Sequence, residues 1–252
     1  MWLPKKATAR RNTNSLKLHK YSDRFYVHPY DKRSDRPNLY YILGDRMAIA
    51  VDAGNSWRQV HEFYDALNEE GLPLPSFTVV SHWHWDHTFG LHAIHGTSLS
   101  SKKTHDKLLV VAKWRWTIDE MRQREIDGLD IPFCNDNILI EYPDLSEIRV
   151  VTTDRIIEEE TAIDLGGVEL RILPGPSTHT DDALYVYLPA EKALIVEDAD
   201  CEDFNHGEVY DQETLRQMIS FFESIDYDYH YLGHAERESK EFAINRLKGE
   251  LK

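Results

Sequence analysis

The sequence holds only two cysteines, Cys134 and Cys201, in 252 residues. Two thiols build no disulfide framework, and free thiols fit a reducing cytoplasm, the location expected here. No apolar run approaches the roughly 18 residues that mark a bilayer span, so no membrane partner is expected. Positive charge is scarce: 29 basic against 44 acidic side chains give a formal net charge of −15. Affinity for nucleic acid comes largely from neutralising phosphates, so no nucleic-acid partner is expected either. Linkers rich in Gly, Ser or Pro, low-complexity tracts and internal repeats are missing, which favours one domain over 1–252. Residues 1–20 are basic without the apolar stretch of a secretory signal and read as a solvated arm.

What the chain does hold is an interior. With 41% hydrophobic and 11% aromatic residues it can bury a substantial core, which excludes wholesale disorder. β-Favouring residues at 40–43 and 47–51 flank Gly44-Asp45, predicting two strands around a turn after a short strand in 22–31. Val60, Phe63, Tyr64 and Leu67 at helical spacing predict a helix over 56–70, with Ser56 as N-cap and Gly71 as stop. A short buried strand follows at 77–80. Further helices are expected at 104–114, onward to Gly128, at 212–224 and at 240–251. Strands are expected at 149–152, 155–157, 169–173, 183–188, 193–197 and 229–232. Residues 131–145 lack a clear period and carry Pro132, Pro143 and Asn135-Asp136-Asn137, so loop is expected there. The stretch 113–145 reads as an insertion beside a site mouth. Strands interleaved with helices indicate an α/β layered domain.

Histidine is plentiful, with 13 residues, several of them clustered. Ser81-His82-Trp83-His84-Trp85-Asp86-His87 follows a hydrophobic strand and contains H-x-H-x-D-H. In an extended chain residues two apart project to one side, so His82 and His84 converge on one metal ion. The bend beyond them aims Asp86 and His87 at a second position. Imidazole suits zinc, and a carboxylate adds charge. The alternative, a surface His cluster or a tag, fits poorly between a buried strand and the helix entry Thr88-Phe89-Gly90. Further ligands belong at the ends of other strands, and His179, Asp198 and His234 fit, Gly233 permitting close backbone approach beside the last. Singly, His179 or Asp198 would serve as a cap and His234 as a solvated loop residue. Jointly they repeat the strand-then-ligand order seen at His82. Trp83 and Trp85 alternate with the ligands and are expected in the core. His92, His95, His105 and His230 show no partner pattern, and surface or core roles are their default.

The pieces SHWHWDHTFG, PGPSTHTDD, LIVEDAD and LGHAER, with AIAVDAG upstream, resemble the metallo-β-lactamase superfamily in order and separation. The resemblance runs from Leu39 to His234 and implies a four-layer αββα sandwich with two metal ions at one edge. Residue by residue, it implies His82, His84 and His179 on the first ion, Asp86, His87 and His234 on the second, and Asp198 bridging both. The family usually has Gly-Asp at the bridging position, whereas here it is Glu197-Asp198, which leaves Asp200 as a fallback ligand. Cys201 is set aside because a carboxylate stands three residues earlier. The implied cofactors are two zinc ions, with iron or manganese as the other candidates.

Two divalent ions share a bridging hydroxide at neutral pH, because metal binding lowers the pKa of water from 15.7 towards about 7. The expectation is a dinuclear-zinc hydrolase that cleaves an ester, lactone, thioester or amide-like bond of a small molecule. Asp86 has a second, catalytic task, orienting the nucleophile and passing its proton on. No G-x-S-x-G elbow competes for the chemistry. Asp52, ending an upstream strand, is either the partner of a ligand His or a turn carboxylate. The alternatives are an iron-dependent redox enzyme of the same fold, such as a persulfide dioxygenase, a phosphodiesterase, and a binding module with a degraded site. The complete set of seven ligands argues against the last.

Within the superfamily, the 18 residues after His234 are too few for the helical C-terminal domain of glyoxalase II enzymes. No Tyr stands between Asp198 and Tyr210, where acyl-homoserine lactonases typically have one. Position 84 is His, where flavodiiron proteins have Glu. The negative charge disfavours RNA-processing members, and a cytoplasmic chain is a poor place to meet a cell-wall antibiotic. Trp114, Trp116, Met121 and Phe133 are either an apolar lid or the packing of a helix hairpin. Asp200, Glu202, Asp203 and His206 form an acidic rim, which favours a neutral or cationic substrate over a polyanion.

Overall fold

A computed structural model describes residues 17–204, 207 and 209–252. Most of the basic arm, 1–16, and His206 of the expected rim lie outside the described residues. The last two arm residues already form a strand. The first sheet runs in chain order: β1 (His19–Lys20), β2 (Phe25–His28), β3 (Leu39–Leu43), β4 (Ala48–Val51), β5 (Phe77–Val79), β6 (Thr97–Ser101) and β7 (Arg155–Ile157). It is antiparallel as far as β4 and parallel beyond. The second sheet has the order β13 (Glu238–Ser239), β12 (Tyr229–Leu232), β11 (Ala193–Glu197), β10 (Leu184–Leu188), β9 (Glu169–Pro174) and β8 (Thr161–Asp164). Its neighbours are antiparallel except for β11 and β12. Seven helices accompany them among the described residues: α1 (Trp57–Glu69), α2 (Trp85–Thr88), α3 (Lys102–Val111), α4 (Ile118–Ile126), α5 (Pro132–Glu141), α6 (Gln212–Ser224) and α7 (Lys240–Gly249).

The layering follows from the two-residue period of the strands. Phe25, Val27, Tyr40, Ile42, Ile49 and Val51 point to one side of the first sheet and meet Leu170, Ile172, Leu184, Val186 and Ile195 of the second. The alternate residues, Tyr26, Leu39, Tyr41, Ala48 and Ala50, face Phe63 and Leu67 of α1. Leu173, Tyr185, Leu194 and Val196 likewise face Leu215, Met218 and Phe222 of α6 and Leu247 of α7. Both faces of each sheet are covered, so these strands read as continuous apolar runs. The result is the expected four-layer αββα sandwich. Ser56 caps α1 by accepting from the Gln59 N–H, also as expected. Among the described residues, no helix is long and apolar enough to cross a membrane.

Two local expectations are overturned, and four strands were missed. Residues 132–141 form α5 rather than loop, with Pro132 in the first turn, where its missing N–H costs nothing. The strand expected at 149–152 is irregular chain, with Val150 and Val151 packed against apolar clusters instead of joining a ladder. The missed strands are the two-residue β1 and β13 and the longer β6 and β8. In β6, Thr-Ser-Leu-Ser-Ser is buried despite its polarity because Ser98 bonds Asp154 and Ser100 bonds Thr153. β8 is a half-exposed edge paired with β9.

Candidate metal centre

Strands β4, β5, β9, β11 and β12 all deliver their C-terminal ends to one edge of the sandwich. Asn38 and Tyr40 stitch the sheets together there: Asn38 Nδ2 donates to the Leu232 and Ala235 carbonyls at 2.8 and 3.0 Å, and Tyr40 Oη to Leu232 O at 2.6 Å. Gly233 then passes so close to the β11 end that a Cβ would lie 2.3 Å from Asp198 Oδ1. Only glycine fits that approach.

All seven candidate ligands meet at this edge in two groups. His82, His84 and His179 present ring nitrogens to one another, while Asp86, His87, Asp198 and His234 form the second set. The sets abut, the ring centroids of His82 and His87 being 4.2 Å apart. Asp198 sits with the second set, its Oδ2 3.0 Å from His87 Nε2 and 3.3 Å from His234 Nε2. Asp86 Oδ2 lies 3.0 Å from both His87 Nε2 and His234 Nε2.

The surroundings fix which nitrogen of each imidazole faces inward. His82 Nδ1 lies 2.9 Å from Ser81 Oγ, which itself donates to Asp52 Oδ2 at 2.7 Å. The ring N–H therefore points outward, and the buried Nε2 has no partner in the protein. His179 donates Nδ1–H to the Glu202 carbonyl at 2.9 Å, and its Nε2 faces His84 Nδ1 at 2.9 Å. His87 donates Nδ1–H to Asp52 Oδ2 at 2.6 Å. Lone pairs thus converge on two points, which fits zinc and other borderline cations.

Electrostatics agrees with this assignment in the first set, while in the second the carboxylates draw protons onto His87 and His234 that a bound cation would displace. Burial, reinforced by neighbouring imidazoles, holds His82 and His84 well below the usual histidine value, so both rings are neutral donors. Burial also opposes charge on His87 and His234, but the carboxylates of Asp86 and Asp198, joined by Asp52 at His87, outweigh it and raise both. For Asp86 and Asp198, burial pushes upward and loses to His87 and His234, so both stay ionised.

Asp52 is the hydrogen-bond partner of the candidate ligand His87 rather than a plain turn residue. It accepts from Ser81 N–H, Ser81 Oγ and His87. Asp200, the fallback ligand, belongs elsewhere: its Oδ2 pairs with His230 Nε2 at 3.0 Å and Arg246 Nη2 at 2.5 Å. His92, His95 and His105 bond to backbone carbonyls, in keeping with their default roles. Trp85 packs in an apolar cluster as expected, yet it and Trp83 also line a cavity of about 510 Å³ beside the ligands. Trp114, Trp116 and Phe133 line it too, whereas Met121 is buried behind them. Three features escaped the sequence reading: Asn38, Asp35 and the isolation of Glu197. Asp35 Oδ1 stands 3.6 Å from His234 Nδ1. Glu197 is buried with neither carboxylate oxygen hydrogen-bonded, Oε2 lying 4.0 Å from His87 Nδ1, and burial followed by the Asp52 charge pushes it well above the usual range. No short motif marks such residues, because their partners are backbone groups or distant segments.

A family model described as the metallo-beta-lactamase superfamily matches residues 34–234. The chain belongs to the metallo-beta-lactamase superfamily. No curated protein matches it. Among solved structures of this superfamily's fold, a metallo-beta-lactamase from Pontibacter korlensis is 17% identical, with 92% of this chain and 97% of that one covered and a TM-score of 0.63. A metallo-beta-lactamase family protein from Thermus thermophilus is 16% identical, covering 89% and 78%, with a TM-score of 0.63. A stereoselective inverting sec-alkylsulfatase from Pseudomonas sp. is 14% identical, covering 93% of this chain and 41% of that one, with a TM-score of 0.64. At such identities these likenesses show the metallo-beta-lactamase fold alone.

Proposed function

We propose that this protein is a dinuclear-zinc hydrolase cleaving an ester, lactone, thioester or amide-like bond of a small molecule. The observation that carries it is the abutment of a three-His set and an Asp/His set beside one cavity. His82, His84 and His179 would hold one ion and Asp86, His87 and His234 the other, with Asp198 shared. Bound there, the pair would supply a water-derived nucleophile near neutral pH and polarise the scissile carbonyl. Asp86, fixed by two imidazoles, is placed to orient the nucleophile and hand its proton to the leaving group. Asp52 holds the His87 tautomer, and the tryptophans at the mouth exclude water from the reacting bond. Two free cysteines support a cytoplasmic location.

Elemental analysis and a panel of chromogenic ester, lactone, β-lactam, phosphodiester and alkyl sulfate substrates test the proposal. About two zinc per chain with carbonyl-centred hydrolysis is expected. His84→Ala and Asp198→Ala should each abolish turnover and lower metal content. Unchanged turnover in both overturns the site, and one iron per chain without hydrolysis favours the redox alternative.

A further inference from the structure

We propose that the substrate is an uncharged ester or lactone carrying a bulky apolar group, and that the cavity beside the two donor sets rejects anions. This rests on the hydrolase proposal above. Water adds across the acyl C–O bond, giving a carboxylic acid and an alcohol with no change of oxidation state.

The cavity, about 510 Å³, has the size of a small-molecule site. Trp83, Phe89, Trp114, Trp116, Ile131 and Phe133 give it a broad apolar wall. Beyond the donor sets, Asp200 and Glu238 line it as carboxylates, while burial raises the pKa of the lining groups Asp35, Asp130 and Glu197 and favours their uncharged forms. Among the described residues Arg246 is the one lysine or arginine in the lining, and it is already committed. Its Nη2 lies 2.5 Å from Asp200 and 3.1 Å from Glu238. Away from the donor sets, an anionic substituent would therefore be desolvated without a free lysine or arginine to pair with.

A cationic substituent is disfavoured by what already covers the aromatic faces. Lys107 Nζ sits 4.3 Å from the Trp83 ring centroid, and the Arg124 guanidinium 4.6 Å from those of both Trp114 and Trp116. The protein's own side chains take these cation–π seats. What the wall offers a substrate is apolar contact, and an uncharged hydrophobic group uses it without a desolvation penalty.

The test compares 4-nitrophenyl hexanoate, acetate and hydrogen glutarate on zinc-loaded protein. These share a leaving group and differ in apolar length and charge. Hexanoate should exceed acetate in kcat/KM by about tenfold or more, and hydrogen glutarate by about 100-fold. Phe133→Ala and Trp114→Ala, two independent openings of the wall, should each lower the hexanoate-to-acetate ratio at least about threefold. Equal rates for hexanoate and acetate, or hydrogen glutarate turned over as fast as hexanoate, overturn the inference and leave the hydrolase proposal standing. If none of the three esters is cleaved, the ester reading fails, the wider substrate panel decides the hydrolase proposal, and calorimetry on the same protein decides the cavity. Hexanophenone binding without hexanoate binding supports apolar selection; binding of hexanoate, or of neither, overturns it.

Discussion

At the scale of single residues, the centre depends on groups that never touch the reacting bond. Asp52 has a left-handed backbone, φ 62°, and satisfies three buried donors from Ser81 and His87. Asp52→Ala leaves those donors without an acceptor, and loss of a buried charge partner costs about 3–5 kcal/mol. Urea denaturation should show that loss, and chelator competition a weakening of the second ion by about 10–100-fold. Unaltered metal affinity would show that His87 is oriented by something else. Glu197 tests the opposite case. Its φ of 54° is a conformation that favours glycine, and its buried carboxyl accepts no hydrogen bond, with His87 Nδ1 4.0 Å away. Glu197→Gly removes both penalties, so the thermal midpoint should rise, by about 1 kcal/mol in free energy or more; a drop would reveal a stabilising role for the carboxyl. Asp52 was legible as a carboxylate ending an apolar strand. The isolation of Glu197 was not, since the letters show which residue stands there and not whether anything faces it.

At the scale of elements, the wall over the cavity is a two-helix piece held by one buried carboxylate. Glu141, at the end of α5, accepts from Ser56 Oγ at 2.5 Å and from Arg36 Nε and Nη2 at 3.1 and 2.8 Å. Tyr142 adds a bond to the Asn55 carbonyl at 3.0 Å. Within the piece, Arg124 lies against Trp114 and Trp116. Glu141→Ala leaves the largely buried Arg36 guanidinium with Glu62 alone, at 2.7 Å, and Ser56 without its acceptor, so about 1.5–3 kcal/mol of destabilisation is expected. Hydrogen exchange should speed up in α4 and α5 more than in β9 to β11. Uniform acceleration would mean that the helices unfold only with the whole protein. The same piece shows why parts of the fold were hidden in the sequence. α1 and α6 carry clear apolar stripes and were found. α5 exposes Phe133, Leu139 and Ile140 while burying Asn135 and Asn137, so no stripe exists to be read. β6 is hidden for the mirror-image reason, as its serines find hydrogen-bond partners inside.

At the scale of the whole molecule, protons and metal ions both act on stability. His28 is buried on β2 with neither ring nitrogen bonded, and burial lowers its pKa from 6.5 to about 4. The unfolded chain binds this proton from about pH 6.5 downward and the folded protein does not, so stability falls as pH drops from 6.5 to about 4. At full extent that is about 3 kcal/mol, at 1.36 kcal/mol per unit. His28→Leu should flatten this part of the pH–stability curve, and an unchanged slope would assign the acid sensitivity to other groups.

Metal is expected to act in the opposite direction, because the candidate donors of both sets come from strand ends far apart in sequence and converge only in the folded state. A ligand that binds the folded chain alone stabilises it by about 2.7 kcal/mol per site at a hundredfold excess over Kd. For a chain of this length two such sites raise Tm by roughly 10 °C or more. Chelator-stripped protein titrated with zinc should therefore show a Tm that climbs through two saturable increments. His82→Ala should remove one increment and keep the other, since Asp86, His87, Asp198 and His234 form a set without it. A Tm indifferent to zinc would dismiss the centre. A single increment untouched by His82→Ala would leave the three-histidine set without an ion and reduce the protein to a mononuclear one.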